Sequence, residues 1–374
     1  MRPVPIQLRE VAVHLVEMPL VRTFRTAHGT TTEKKTLIVR AMDADGVVGW
    51  GEAPASDLPL YSPDTMESSW YALTKLLAPL VVGRRFEGPA ELASSWSGYQ
   101  GYNFAKHALE CAAWTIASEK LGEPLSALLG GTRASVPVGE SYGIEESVTD
   151  LLNEIEDRLR QGFRRIKVKI EPGWDLDVLR QVVLAFPEAP VMADGNCGYD
   201  PRQPGPWAEL DELHLLMLEQ PFPGQALVEL ADLQSRMATP ICLDESAVTP
   251  GLTAAALRLG AGRIVNVKPP RLGGIAASVA VHDHCLALGV PVWCGGMLES
   301  GIGRAVNLAI ASLPGFTLPA DMSPARLFYA EDLVEPTFDV GSDGTVPVPD
   351  RPGVGFPVVE ERVMKHRSAT EVVR

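Results

Sequence analysis

The chain has 374 residues, 46% of them hydrophobic, and carries a formal charge of −14 from 33 basic against 47 acidic residues. That length and composition suit a large core in one or two domains, and the scattered acidic excess excludes nucleic acid or an anionic membrane surface as partner. Any positive site for an anionic ligand must therefore be built locally.

The N-terminal "LREVAVHLVE" alternates apolar and polar residues as a strand does. Glu10, His14 and Glu17 interrupt the opening stretch, so it reads as neither signal peptide nor membrane span, and the cytoplasm is the expected location. "VRTFRTAHGTTTEKK" (21–35), polar and glycine-containing, reads as a mobile loop, and "TLIVRAMDADGVVGWGEA" as a hairpin turning at Asp45-Gly46. Helices are predicted over Thr65–Val82 and Phe104–Leu129, the second closed by Gly130-Gly131. Together these make an α+β module spanning residues 1–131. From Val136 the pattern changes to eight short apolar runs, most separated by a helix-sized gap: "VPVGES", "RIKVKI", "PVMADG", "LLMLEQP", "ICLDES", "IVNVKPP", "PVWCGG" and "FTLPAD". Eight such βα repeats imply a closed parallel barrel over residues 132–330. The segment 331–374, with "GSDGT" and "DRPGVG" turns, is expected to leave the barrel and return to the N-terminal module. Five widely spaced cysteines (Cys111, Cys197, Cys242, Cys285, Cys294) with no C-x-x-C pair read as reduced thiols packed as small apolar residues.

Five of the strands carry a charge near their C-terminal ends: Lys169, Asp194, Glu219, Asp244 and Lys268, at steps of 25, 25, 25 and 24 residues. Each step is one βα unit, so five consecutive strands bring these side chains to one rim of the barrel, the end where barrel active sites lie. A solvated lysine face is the ordinary reading of Lys167 and Lys169 alone; the in-phase series argues against it. Three converging carboxylates repel one another and raise one another's pKa unless a cation joins them. With no His or Cys in the set, that cation is a hard one, Mg²⁺ with Mn²⁺ as a substitute, rather than Zn²⁺. The alternative, in which the carboxylates pair with the lysines and hold no metal, requires buried charge pairs with no functional return. Lysines beside one another and partly desolvated are expected to have depressed pKa values and to act as bases near neutral pH. Lys169 lies nearest the strand end, with Lys167 adding positive potential. Two lysines flanking a metal-bound carboxylate could take a proton from the adjacent carbon on one face and return it on the other.

The segments "KVK" (167–169), "DGN" (194–196), "EQP" (219–221), "DES" (244–246) and "NVKPPRLGG" (266–274) resemble the muconate-lactonizing subgroup of the enolase superfamily. More narrowly, "RIKVKIEPGWD", "TPICLDES", "PVWCGGMLESGIGRAVNLAIASLPGFTLPAD" and "NFAKHALECAAWTIASEKLGEPLSALLGG" resemble the o-succinylbenzoate synthase and N-acylamino acid racemase family. The resemblance spans nearly the whole chain and implies a (β/α)7β TIM-like barrel with an α+β capping domain. It implies Asp194, Glu219 and Asp244 as Mg²⁺ ligands, Lys169 and Lys268 as the acid/base pair, and Lys167 and Asn196 as supporting groups. It also implies substrate contacts from Ser141 and from the rim residues Gly295, Gly296, Met297 and Glu299, with loops 21–35 and 54–65 closing over the site. Gly195 stands where the family often has alanine, and Pro270 where glycine is common.

The implied reaction is either dehydration of a succinyl-bearing cyclohexadiene carboxylate to o-succinylbenzoate for menaquinone synthesis, or racemisation of N-acylamino acids. Dehydration uses one lysine with the other as a nearby cation, whereas racemisation needs both. A dipeptide epimerase would carry paired acids on the eighth strand, where "LPADMSP" offers Asp321 alone. A catalytically retired scaffold barrel would have no reason to keep all five charges. The partner expected is a small-molecule carboxylate, with the chain forming a homo-oligomer. Among the remaining signals, His282 and His284 are two apart on a helix and so face apart, which argues against a metal pair. "GIGRAV" (301–306) lacks the third glycine of a dinucleotide loop and reads as a helix entrance, where backbone N–H groups could hold an anion. Cys197, Cys294 and Trp293 lie near the rim and are read as packing groups.

Overall fold

The alternating apolar residues at the start of the chain form a long antiparallel hairpin, with strands Ile6–Thr26 and Gly29–Asp43 followed by Val48–Ala53. The computed structural model describes residues 3–26 and 29–374. Val13 pairs with Val39 and Val11 with Ala41, which puts one apolar face inward. On the other edge the C-terminal strand Arg367–Val373 pairs antiparallel with the first strand, Val11 opposite Val373. The turn at Asp45-Gly46 is held by Asp43, whose Oδ1 accepts the Asp45 and Val47 N–H groups at 2.9 and 3.0 Å.

The stretch 21–35 expected as a mobile loop is instead the far end of this hairpin, with Arg25 paired to Thr30 and Thr26 to Gly29. Its threonines are polar but β-branched, and such residues fit a pleated strand as well as a loop. Ala27 and His28, at the tip, lie outside the described residues. Val21 N–H donates to Phe328 O at 2.8 Å, which seats the hairpin on the mouth of the barrel.

The sheet packs on the helix Asn103–Leu121, a run of alanines and other small residues buried along most of its length. "GWGEA" is the sequence device for that contact. A Cβ at Gly49 would lie 2.1 Å from Ala112 O, and one at Gly51 would lie 1.9 Å from Ala108 O, so only glycine admits the helix this close. The helix predicted to run to Leu129 stops at Leu121. Gly122 adopts a left-handed φ of 67° and Pro124 follows it before a short second helix, Leu125–Leu129.

Seven parallel strands follow in strict chain order: Glu140–Tyr142, Ile166–Lys169, Val191–Asp194, Leu218–Glu219, Ile241–Leu243, Ile264–Val267 and Val292–Cys294. The segment 316–321 closes the ring. Phe316 bridges Val292 and Ala320 bridges Val138, both in parallel, and Asp321 N–H donates to Cys294 O at 2.9 Å. The architecture is therefore a (β/α)7β barrel with an N-terminal α+β cap. Ile166, Val168 and Ile170 point outward into the layer between strands and helices, where they join Leu151, Ile155 and Leu179. Inward-pointing Met192, Met217, Cys242, Ile264 and Trp293 fill the barrel below the rim.

Two buried carboxylates of the cap dock on barrel helices. Glu52 accepts from Ser300 N–H and Gly303 N–H at 3.1 Å and from Ser300 Oγ at 2.6 Å, capping the helix Gly301–Ala311. Glu110 accepts from Ala276 N–H at 2.9 Å and Trp114 Nε1 at 3.1 Å, capping Ile275–Leu288. A Cβ at Gly274 would come within 1.8 Å of Glu110 Oε2, so glycine is required there. All five cysteines are free thiols. No described helix is long and apolar enough to cross a membrane.

Candidate active site

The barrel register sets the site. Lys169 lies opposite Asp194 and Asp194 opposite Glu219 on adjacent strands, while Asp244 and Lys268 directly follow the ends of the fifth and sixth strands. Because side chains alternate, the residues two earlier, Lys167 and Asn266, also point inward, one layer deeper. Lys169 and Lys268 come from the second and sixth of eight strands, so they face each other across the barrel mouth with the three carboxylates between them.

All three carboxylates are fully buried. Lys169 Nζ donates to Asp194 Oδ2 at 2.6 Å and to Asn196 Oδ1 at 2.7 Å. Lys268 Nζ donates to Asp244 Oδ2 at 2.7 Å and stands 4.7 Å over the Tyr61 ring. Asp244 Oδ1 also accepts the Tyr61 hydroxyl at 2.7 Å and the Arg271 guanidinium. Glu219 accepts from Asn266 Nδ2 at 2.6 Å and lies 3.4 Å from Lys167 Nζ. Beneath them, Lys167 pairs with Asp321 at 2.6 Å and lies 4.9 Å over Trp293, which fills the interior of the barrel.

The lysine electrostatics differ from the depressed values expected. Burial alone would lower the Lys167 and Lys268 ammoniums. Asp321 and Glu219 at Lys167, and Asp244 and Tyr61 at Lys268, outweigh it and hold both above the ordinary lysine range. The expectation counted lysine neighbours and omitted the carboxylates that the register places closer. Burial opposes ionisation of Asp194 and Asp244 too, but Lys169 and Lys268 respectively keep both carboxyls below their usual range. Glu219 has the weakest support. Burial, then repulsion from Asp194, pushes it well above the carboxylate range.

These carboxylates fit a hard cation by chemistry: three fully buried, oxygen-only donors on consecutive strands, one of them crowded by the other two. Their oxygens are turned to Lys169, Lys268, Arg271 and Asn266. Among the described residues, no three His, Cys, Asp or Glu side chains are gathered as a ready cation cage.

A cavity of 580 Å³ opens over this rim between barrel and cap. Lys167, Lys169, Lys268, Asn196, Ser141, Gly296 and Met297 all line it. Ser141 Oγ is buried with no hydrogen-bond partner. Gly295 serves instead by having no side chain, since a Cβ there would lie 2.6 Å from Lys268 Cε. Glu299 turns away from the cavity to accept Met297 N–H at 2.8 Å and Asn307 Nδ2 at 2.9 Å, bracing the rim loop. Sequence reasoning missed Tyr61, Arg271 and Asn266. Asn266 was within reach, two residues before Lys268 as Lys167 is before Lys169. Tyr61 sits in an aperiodic loop that carries no such signal. Burial pushes the Cys197 and Cys294 thiols upward, which fits packing rather than nucleophilic work.

Residues 8–130 match the mandelate racemase / muconate lactonizing enzyme N-terminal domain family, and residues 150–362 the "Enolase C-terminal domain-like" family. An o-succinylbenzoate synthase of Geobacillus kaustophilus is 42% identical over 98% of this chain and 99% of its own. An N-succinylamino acid racemase of Thermus thermophilus is 41% identical over 97% and 99%. A solved enolase-superfamily member from Listeria innocua superposes with a TM-score of 0.94 at 33% identity, covering 98% and 99% of the two chains. Fold, rim and relatives thus define an α/β-barrel enzyme of the enolase superfamily. Within it, the chain belongs to the branch of o-succinylbenzoate synthases and N-succinylamino acid racemases, whose chemistry is of the lyase or racemase kind.

Proposed function

We propose that the chain is a Mg²⁺-dependent o-succinylbenzoate synthase serving menaquinone synthesis, and that the same site racemises N-acylamino acids. The substrate is 2-succinyl-6-hydroxy-2,4-cyclohexadiene-1-carboxylate, which loses water with syn geometry. The observation that carries this reading is the placement of Lys169 and Lys268 on opposite strands of one cavity, with Asp194, Glu219 and Asp244 between them. Those three carboxylates would hold Mg²⁺, or Mn²⁺ in its place, which supplies a Lewis acid for the negative charge that develops on the substrate carboxylate.

The chain's own groups do the rest. Asn196 Oδ1 and Asp194 aim Lys169 Nζ into the cavity. With its proton shed, that amine takes the proton from the carbon beside the substrate carboxylate and gives it to the hydroxide leaving from the same face. Lys268, fixed by Asp244 and the Tyr61 ring, presents a positive charge to the opposite face as the enediolate charge grows. Racemisation asks more of Lys268, which must then deliver a proton. Closure of the cap over the cavity excludes water from both reactions.

A dedicated N-acylamino acid racemase is the second reading, favoured by the fact that dehydration needs only one proton-transferring lysine and the site holds two. The test is kcat/KM for dehydration and for racemisation of N-succinylphenylalanine on one Mg²⁺-loaded preparation, repeated with Lys169→Ala and Lys268→Ala. Lys169→Ala is expected to abolish both activities and Lys268→Ala only racemisation. Activity of either kind in Lys169→Ala would overturn the assignment, and racemisation faster than dehydration in the parent would favour the second reading.

A further inference from the structure

The "GIGRAV" segment opens the helix Gly301–Ala311, and its backbone has no room for a ligand anion. Gly301 N–H already donates to Asp332 Oδ1 at 2.8 Å, and Ser300 and Gly303 N–H donate to Glu52 at 3.1 Å. The side chain of Arg304 is placed differently. It is only 4% exposed yet lines the active-site cavity, with its guanidinium carbon 5.1 Å over the Phe328 ring. Nε donates to Glu299 O at 2.8 Å, while Nη1 is buried without a hydrogen-bond partner.

No ion pair engages Arg304 among the described residues, although the field of Asp332, whose Oδ1 accepts the Gly301 and Leu333 N–H groups, reaches it. Glu52 is held by Thr36, Ser300 and Gly303, and Glu299 by Met297 and Asn307. From the capping sheet, Lys34 lines the same cavity at 8% exposure, and its Nζ donates to the backbone oxygen of Pro54 at 2.9 Å. Burial lowers the Lys34 ammonium against the opposing fields of Glu52, Glu299 and Asp57. Neither cation makes an ion pair among the described residues, and a ligand carboxylate would give Arg304 Nη1 the partner it lacks.

The geometry points to a second anion subsite, formed by Arg304 of the barrel and Lys34 of the cap, that takes the terminal carboxylate of a dicarboxylate substrate. The inference rests on the proposed function for the other end of the substrate, whose reacting carboxylate lies at the Asp194–Glu219–Asp244 rim. The planar guanidinium suits bidentate recognition of a carboxylate, and Met297, Leu298 and Phe328 give an apolar lining for the methylenes of a short acyl arm. The pair would thus select succinyl-bearing substrates over acyl arms of equal length that end in a methyl group.

The test uses the full-length, Mg²⁺-loaded enzyme and two ligands, o-succinylbenzoate and 2-butyrylbenzoate, which differ only in a terminal carboxylate replaced by methyl. Titration calorimetry is expected to show the dicarboxylate bound roughly ten- to a hundred-fold more tightly by the parent protein. In Arg304→Gln that preference should shrink to within about threefold, with 2-butyrylbenzoate affinity unchanged, and Lys34→Gln should lose a smaller part. Equal binding of the two ligands by the parent, binding of neither, or full preference in both variants would overturn the subsite. The ligand comparison on the parent needs no variant to fold. Turnover of the cyclohexadiene substrate without the preference would remove the subsite and leave the proposed activity, whereas the preference without turnover would do the reverse.

Discussion

Asp244 is the most heavily engaged of the rim carboxylates, holding Lys268, Arg271 and the Tyr61 hydroxyl at once. Tyr61 comes from the capping domain, so this hydrogen bond ties the cap loop directly to the lysine it covers. Its removal in Tyr61→Phe forfeits one charge-assisted bond and frees Asp244 to pull Lys268 off its line. We expect kcat/KM to fall about tenfold with little change in melting temperature. Steady-state kinetics beside a thermal melt would check this, and an unchanged kcat/KM would make the bond a passive contact. The five rim charges were legible because strand alternation and the βα period together dictate which residues share a height. Tyr61 was not, since its position depends on a loop from another domain. Arg271 sits in a one-turn helix just past the sixth strand, Pro269–Leu272, outside any strand pattern.

Helix termini join the two domains. Glu52 and Glu110 each reach from the cap to the N-terminus of a barrel helix, where a carboxylate meets free N–H groups and the positive end of the helix dipole. Glu52→Ala strips four donors of this acceptor, and a loss of about 3 kcal/mol is expected in urea unfolding. Glu110 adds a pH dependence. Burial pushes its carboxyl up to about 7, from 4.5 in the unfolded chain. Between those values the folded state binds the extra proton, so this group's contribution to stability is greatest at low pH and declines as pH rises through 7. The full decline is at most roughly 3 kcal/mol, and Glu110→Gln is expected to flatten it relative to the parent protein. Parallel denaturation curves of the two from pH 4.5 to 8 would refute the assignment. None of this docking was legible in the sequence, because Glu52 and Ser300 lie far apart in the chain and neither sits in a periodic pattern. The same limit explains the hairpin end at 21–35, whose polar residues resemble a loop until Val21 and Arg25 are seen bonded to Phe328 and Ile144.

At the level of the whole molecule, the barrel concentrates charge that the rest of the fold must balance. The seven strands and the closing run were legible, because helix-sized gaps separate most of the apolar runs and the last run, 316–321, returns to Val138 just ahead of the first strand. What the runs could not show is how the charges pair. The structure sets Lys169 on Asp194 and Lys268 on Asp244, leaving Glu219 crowded by both acids. On the proposed reading the lysines would compete with Mg²⁺ for carboxylate oxygens rather than serve as its ligands, and this separates two sets of variants. Mg²⁺ added to chelator-treated protein should raise the melting temperature by several degrees, with about 2.7 kcal/mol gained at a hundred times the dissociation constant. Glu219→Gln should lose that rise because it removes a donor. Lys169→Ala should keep it, or bind Mg²⁺ more tightly, while being inactive, because it removes a competitor. Calorimetric scans of the three proteins with and without Mg²⁺ decide the matter. No rise in the parent would overturn the metal assignment, and loss of the rise in Lys169→Ala would make the lysine a structural partner of the carboxylates rather than the base.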